Sequence, residues 1–473
     1  MTTERPWLEP LWLMTRSSIV RYLVLISLTW SESASAGGFR IYDQSASATG
    51  QSAAFAAQAD DPSAIYYNPA GMTQLRGTQL SFGTLLIGGH TSFTSPSGAT
   101  AHGDFGGSIA YPPPSNFYAT VNFKDAGYQA FGNLSAGVAV LSPFGNMYRY
   151  RDNAPFATAV IRSALQLIDI KPTLAYKLTD QLSIGLGADI YTFFNFWGQG
   201  QYETHLNSSG GPPLPPPGTP LELNGRGTTA GFNASLLYTP LRTADKKPLV
   251  NVALLYRSQA ALPINGQFLA NGAVVSDART TLVLPQIFTG GLAVWPIQDA
   301  RHAWKLELDV DYTDWHSMRN TDVQLSNGVT IPFAQNWRST YTVLLGTEYR
   351  WLDLQQLPNW EVALRGGYWH SMTPVPDSSF NPQLPDADNH SISAGLGFLC
   401  KRNGHFLGLF ECGHVGRGLL NPQALGLDLA YQALIYEPRT VTGNLNPVAI
   451  PGSVNGVYHT VFHSGSINLR VNF

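Results

Sequence analysis

Between Trp304 and Tyr312 the chain alternates strictly. Trp304, Leu306, Leu308, Val310 and Tyr312 share one parity, and Lys305, Glu307, Asp309 and Asp311 share the other. Side chains of a strand point alternately to its two faces, so the four charges fall on one side. Such a face cannot meet hydrocarbon, where a charge at mid-bilayer costs roughly 2–4 kcal/mol; a water-filled or hydrogen-bonded interior accepts it. This chemistry concerns solvation rather than catalysis. The sequence has no G-x-S-x-G elbow, H-E-x-x-H helix, P-loop or G-x-G-x-x-G signature, and its eleven histidines are scattered. His459 and His463 share a face of the last strand candidate with no paired nucleophile in the sequence, and read as wall residues. No catalytic residue, metal ligand set or cofactor is therefore expected. Cys400 and Cys412 read as a disulfide if the chain is exported, with two free thiols as the alternative; the spacing of the nearby histidines is not a zinc pattern.

The elements that must position these residues are strands. Period-two alternation marks fourteen candidates: 78–90, 116–124, 133–145, 166–178, 182–194, 226–239, 249–266, 281–295, 303–318, 337–351, 360–373, 388–401, 425–440 and 457–473. The even count, and connectors that alternate between short turns and long loops, fit a transmembrane barrel of antiparallel strands. Composition agrees. Charged residues are 12% of 473, about half the usual share, yet mean hydropathy is only −0.06. Few charges without long apolar runs is what lipid-facing residues diluted by lumen-facing ones produce. A net charge of −3 gives no reason to expect a nucleic-acid partner. The fold class is all-β: a fourteen-stranded barrel over residues 78–473.

Residues 1–36 read as an export signal, with Arg16 and Arg21 before an apolar stretch and Ala34-Ser35-Ala36 as the cleavage pattern; Met14 offers an alternative start. Residues 37–77 are rich in Ala, Ser, Gln and Gly. Fourteen strands enclose more space than their own side chains fill, so this segment is expected to plug the lumen as a helical hatch. Asp60 and Asp61 read as a capping pair or as an anchor to lumen arginines. Tyr67-Asn68-Pro69-Ala70 reads as an extended turn, because the residue before proline avoids the helical region. At the other end Ile467, Leu469, Val471 and Phe473 alternate with polar residues. A strand closing on a terminal aromatic looks like the signal read by outer-membrane assembly machinery, making Phe473 the expected contact.

The chain resembles the FadL/TodX-type outer-membrane transporters of hydrophobic compounds. The likeness runs from GFRIYDQSA and ADDPSAIYYNPAGM through LSPFGNMYRYRD, DIKPTLAYKL, LLYRSQAALPINGQ, LPQIFTGGLAVW and LDVDYTDW. It continues through NWRSTYTVLLGTEYR, LRGGYWHSMTPVPD and LPDADNHSISAGLGF, so it covers residues 37–473. The resemblance implies a bacterial outer-membrane barrel, expected as a monomer among outer-membrane lipids. It implies passive import of a hydrophobic small molecule, long-chain fatty acids first and aromatic hydrocarbons as the alternative. The implied route is an outer groove, a pocket near the hatch and lateral release into the bilayer. A carboxylate ligand would need a cation or donor, for which Arg162, Lys171, Arg257 and Arg338 are candidates. Phe144, Phe156, Phe194 and Trp197 are candidates for a greasy groove, with an interfacial aromatic girdle as the alternative reading. A general diffusion porin and an outer-membrane enzyme are the readings of a different class.

Overall fold

The computed structural model describes residues 37–194, 200–212, 214–401, 404–406, 410–413 and 422–473. The expected export signal and Trp197 lie outside these residues. Among the described residues fourteen strands form the wall: β1 (Thr78–Thr94), β2 (Ser115–Asn122), β3 (Leu134–Tyr150), β4 (Arg162–Lys177), β5 (Leu182–Thr192), β6 (Thr229–Arg242), β7 (Pro248–Arg257), β8 (Ile287–Gln298), β9 (His302–Thr313), β10 (Thr340–Trp351), β11 (Trp360–Ser371), β12 (Asn389–Cys400), β13 (Ala424–Tyr436) and β14 (Gly456–Asn472). Each pairs antiparallel with the next. The ring closes where β14 pairs with β1, from Gln79 opposite Asn472 to Thr94 opposite Val457. Closure joins the first strand to the last, the condition for spanning a bilayer with strands. No described helix is long and apolar enough to cross a membrane.

Every expected strand meets an observed one, with two corrections, at 249–266 and at 281–295, each of which joins a wall strand to part of an outer hairpin. The run 249–266 is two elements, because β7 ends at Arg257, which pairs with Ile287 of β8. The chain between them leaves the wall as a hairpin of Ala260–Ala270 with Ala273–Leu284. The alternation continues through this hairpin, so periodicity alone could not mark where the wall stopped.

Alternation sorts the side chains as expected. Leu174, Leu186, Leu254, Ile392 and Tyr431 are exposed on the outer face, while Lys171, Asp189, Lys305, Glu307, Asp309 and Asp428 are buried inside. Residues 37–77 supply what buries them. Ser45 caps the short helix Ala46–Thr49 through its hydroxyl, and a second helix spans Ala64–Tyr67. Pro69–Gln74 forms a 3₁₀ turn capped by Asn68, with proline at its first position, where no N–H is needed. Nearly all of this segment is buried. Wall glycines admit it. A Cβ on Gly367 would stand 2.2 Å from the Gln51 carbonyl carbon, and one on Gly185 would stand 2.5 Å from the Ala70 nitrogen.

At the short-turn rim, Cys400 ends β12 and is bonded to Cys412, their Cα atoms 6.0 Å apart. Cys412 closes a hairpin of Gly404–Phe406 with Phe410–Cys412. Both cysteines are buried in a small cluster with Phe406 and Leu425.

Candidate functional site

The lower half of the hatch is held by polar contacts. Residues 55–58 lie in a turn segment between the two short helices, and the charged face of β9 meets their backbone N–H groups. Phe55 and Ala56 each donate to Asp309 Oδ2 at 2.9 Å. Ala57 and Gln58 donate to Glu307 Oε1 at 2.6 and 3.2 Å. Lys305 pairs with the other Glu307 oxygen at 2.7 Å. Asn68 Nδ2 donates to the Ala56 carbonyl at 2.9 Å, tying the segment to itself. Ala70 N donates to the Ser235 hydroxyl at 2.9 Å, and Asn251 Nδ2 donates to the Ala57 carbonyl at 2.8 Å. Asp60 forms an ion pair with Arg350. Asp61 does not reach an arginine by hydrogen bond; it accepts from Ser47 Oγ and from the Ser63 N–H. The Tyr67 hydroxyl donates to the Tyr42 carbonyl at 2.7 Å.

Above this layer the surroundings turn apolar. β3 carries an irregularity between Leu141 and Phe144, and the start of the hatch pairs with it from inside. Ile41 N donates to the Pro143 carbonyl, and Gly145 N donates to the Phe39 carbonyl, each at 2.9 Å. Phe39 is thereby set against Phe144, Trp315 and Trp337, with ring centroids 4.9–5.8 Å apart. Beside it lies a cavity of 370 Å³ lined by Phe39, Arg40, Tyr42, Phe144, Leu165 and Trp369 on the lumen side. Among the described residues Arg40 supplies the cavity's single basic side chain, and it is engaged. It donates to Asp311 at 2.6 Å and to Thr313 at 3.1 Å, and its guanidinium lies 4.2 Å over the Tyr42 ring.

The same cavity reaches the wall at Leu85, Ile87, Ala110, Pro112, Pro114 and Asn146. There the ladder is interrupted. β2 pairs with β1 only as far as Thr84 opposite Ser115, and with β3 only as far as Phe117 opposite Val140. β1 and β3 continue to Thr94 and Tyr150, and the strand between them resumes only as Thr100–Asp104. The intervening residues 105–114 are irregular, attached to β1 by Leu85 N to Pro114 O and Ala110 N to Ile87 O, both 2.8 Å. Gly106-Gly107 and three successive prolines, Pro112–Pro114, explain the interruption, because proline has no N–H for a ladder.

At the long-loop rim a second apolar pocket of 110 Å³ lies among the loop hairpins, lined by residues including Leu206, Leu221, Phe268, Val323, Ile331 and Val448. Phe93, Tyr150, Phe156 and Tyr458 pack ring against ring, with centroids 4.7–5.0 Å apart. Asp386, in the loop after β11, is buried. Burial pushes its carboxyl up to about 7, against the opposing effects of the Thr373 hydroxyl, Arg439 and the Gly38 N–H. Thr373 donates to it at 2.6 Å.

The sequence-named residues fall into separate groups. Phe144 and Phe194 line the cavity. Phe156 is in the aromatic cluster above it. Lys171 and Arg257 are buried around Asp189, Lys171 in a direct ion pair and Arg257 Nε at 3.9 Å. Arg162 pairs with Glu203 at 2.9 Å on the loop rim. Glu203, His205 and Glu222 cluster there closely enough to hold a cation, and Glu203 is engaged by the arginine. Arg338 has an exposed side chain and donates its backbone N–H to Pro374 O. The four cations do not converge. Sequence reasoning missed Phe39, Arg40, Trp315 and Trp337, which flank the cavity; the signal was present in GFRIY at the start of the hatch. It also missed the interruption at 105–114, although the proline run was visible.

Residues 27–405 match the model of the outer membrane protein transport protein family (OMPP1/FadL/TodX). The long-chain fatty acid transport protein of Salmonella typhi is 25% identical over 421 residues, covering 81% of this chain and 88% of that protein. The protein of the same name from Escherichia coli O6:H1 is 25% identical over 429 residues, covering 81% and 87%. Among solved structures, a Pseudomonas aeruginosa FadL homologue superimposes with a TM-score of 0.68 at 16% identity, covering 92% of this chain and all of that one. The Ralstonia pickettii toluene transporter TbuX gives 0.53 at 15% identity, covering 87% and 94%. These two likenesses speak to the fold.

Proposed function

The chain belongs to the OMPP1/FadL/TodX family of outer-membrane transport proteins for hydrophobic compounds, and from that premise we propose how it moves its ligand. A hydrophobic molecule is collected in the outer-loop pocket and passes the aromatic cluster. It rests in the 370 Å³ cavity against Phe39 and Phe144 and leaves sideways between β1 and β3 into the bilayer. The observation that carries this reading is the cavity's continuity, from the first residues of the hatch to the one stretch of wall where β2 has run out. The driving force is partitioning, since each step moves the ligand between apolar surroundings. Residues 37–77 act as a fixed plug beneath the route. No catalytic step and no cofactor belongs to it. Phe473, bonded through its backbone N–H to the Thr78 carbonyl, is the residue we assign to recognition by the assembly machinery. The working unit is a monomer.

Long-chain fatty acids are the ligand class supported by the fatty-acid transport relatives. One observation favours an aromatic or other uncharged hydrocarbon instead: Arg40, the cavity's basic residue, is already neutralised by Asp311. Competition binding of oleate and toluene on purified protein separates the two. Oleate binding that weakens in R40Q supports the fatty-acid reading. Toluene binding indifferent to R40Q supports the hydrocarbon reading. Binding of neither removes the proposed route.

A further inference from the structure

The loop between β5 and β6 folds into a hairpin of Tyr202–Asn207 with Pro220–Arg226, and its first strand pairs with the start of β4. Alternation gives the hairpin two faces. Tyr202, Thr204, Leu206, Leu221 and Leu223 line the outer-loop pocket. Glu203 and His205 take the opposite parity on the first strand, and Glu222 stands opposite His205 on the second. Arg162 of β4 stands opposite His205 on its other side. One ligand atom from each of Glu203, His205 and Glu222 lies within 4.8 Å of the other two. The imidazole bonds neither carboxylate. Its Nε2 is 3.9 Å from Glu203 Oε2 and its Nδ1 is 4.0 Å from Glu222 Oε2, both beyond hydrogen-bond reach. His205 Nε2 is shut off from solvent and has no hydrogen-bond partner among the described residues, an arrangement that costs free energy unless something binds there.

We propose that Glu203, His205 and Glu222 form a site for one divalent cation of the zinc class. One imidazole nitrogen and two carboxylate oxygens bind it, and the fourth position is left to water. The donor set decides the class. Magnesium and calcium take oxygen ligands, whereas an imidazole favours zinc and its first-row neighbours. The carboxylates are already oriented by groups behind them. Arg162 meets Glu203 Oε1 at 2.9 Å, Gln201 Nε2 donates to Glu203 Oε2 at 3.3 Å, and Asn224 Nδ2 donates to Glu222 Oε1 at 2.6 Å. Outer partners of this kind hold metal ligands in place. Two carboxylates against the one guanidinium paired with them leave the cluster net negative, which attracts a cation. The three ligand side chains are 14–32% exposed, so an ion in solution reaches them. Because the ligands come from both strands, the cation ties the hairpin together across its ladder, on the back of the strands that wall the outer-loop pocket.

The test is isothermal titration calorimetry of the full detergent-purified chain, stripped with EDTA and dialysed, against zinc chloride and separately against magnesium chloride. Wild-type protein should show a saturable zinc site that magnesium does not fill. Loss of an outer partner alone costs roughly 10–100-fold in metal affinity. H205Q and E222Q each remove a ligand and should therefore weaken this site by at least about tenfold, while keeping the heat-dependent gel mobility of a folded barrel. H370Q, which changes an imidazole on β11, should leave the site as it is in wild-type protein. The absence of any saturable zinc site in wild-type protein overturns the proposal without reference to any variant. Zinc binding unchanged in folded H205Q, or magnesium bound as tightly as zinc, overturns it as well.

Discussion

The underside of the hatch and its upper face meet the same barrel on different terms. Below, the wall presents carboxylates, hydroxyls and amides that take up hatch N–H and C=O groups one by one, as Asp309 does for Phe55 and Ala56. Above, it presents aromatic rings and a cavity, and next to that cavity the ladder between β1 and β3 lapses. A buried hydrogen-bonded interface fixes geometry, because leaving any member unpaired costs on the order of 1–3 kcal/mol. An apolar cavity fixes nothing beyond shape, and so it can accept and release molecules. The molecule separates sealing from passage by height within one lumen.

The comparison breaks most completely if the seal is removed. Deleting residues 38–72 should leave fourteen strands around an open channel. Planar-bilayer recordings should then show a steady current absent from the intact chain, and cells carrying the deletion should become sensitive to large antibiotics. A silent bilayer would mean that the polar lower half does not seal.

The converse change should close the passage and spare the seal. Replacing Pro112–Pro114 with Thr-Val-Thr restores three N–H donors and strand-forming residues, allowing β2 to lengthen between β1 and β3. Uptake of labelled ligand should fall by about tenfold or more, a barrier of 1.4 kcal/mol or above, with no new conductance. Unchanged uptake would show that ligand leaves by another path.

A smaller effect is expected from D309A. It orphans the Phe55 and Ala56 N–H groups, and its cost should be about 2–6 kcal/mol, one desolvation penalty for each. The temperature at which the barrel loses its folded gel mobility should drop, and brief current openings should appear. F144A, at the cavity, should weaken ligand binding and add no openings. If both variants leaked alike, the division between the two halves would be false.

The sequence revealed the wall more readily than the site. Period-two alternation reports which face each residue occupies, so Lys305, Glu307, Asp309 and Asp311 announced a buried polar lining. The same signal could not end β7 at Arg257, because the outer hairpin at 260–284 alternates as well. The site escaped for a different reason. Phe39 is far in the chain from Trp315 and Trp337, and only closure of the barrel packs them together beside the cavity. The cations were legible as lumen residues, but no spacing rule tells that Lys171 and Arg257 converge on Asp189 while Arg40 takes Asp311. Pairing among inward charges is decided by register across strands.

The least effect concerns a contact on the loop side, above the hatch. Asp386 is buried, accepts from Thr373, and has its carboxyl pushed up to about 7 chiefly by burial. Its unfolded value is near 3.9, so the native state holds a proton that the unfolded state releases. The resulting stabilisation is complete below about pH 4 and is lost as pH rises through about 7. The melting midpoint of the purified protein should therefore fall by about 1–2 °C between pH 5 and pH 8 on account of this group. D386N keeps a neutral side chain of the same shape and should flatten that part of the profile, with the pH 5 midpoint nearly unchanged. If the variant kept the wild-type slope, the pH dependence would belong elsewhere, and the loop over the cavity would be held by Arg439, which bridges the Val375 carbonyl and Asp377 independently of this carboxyl.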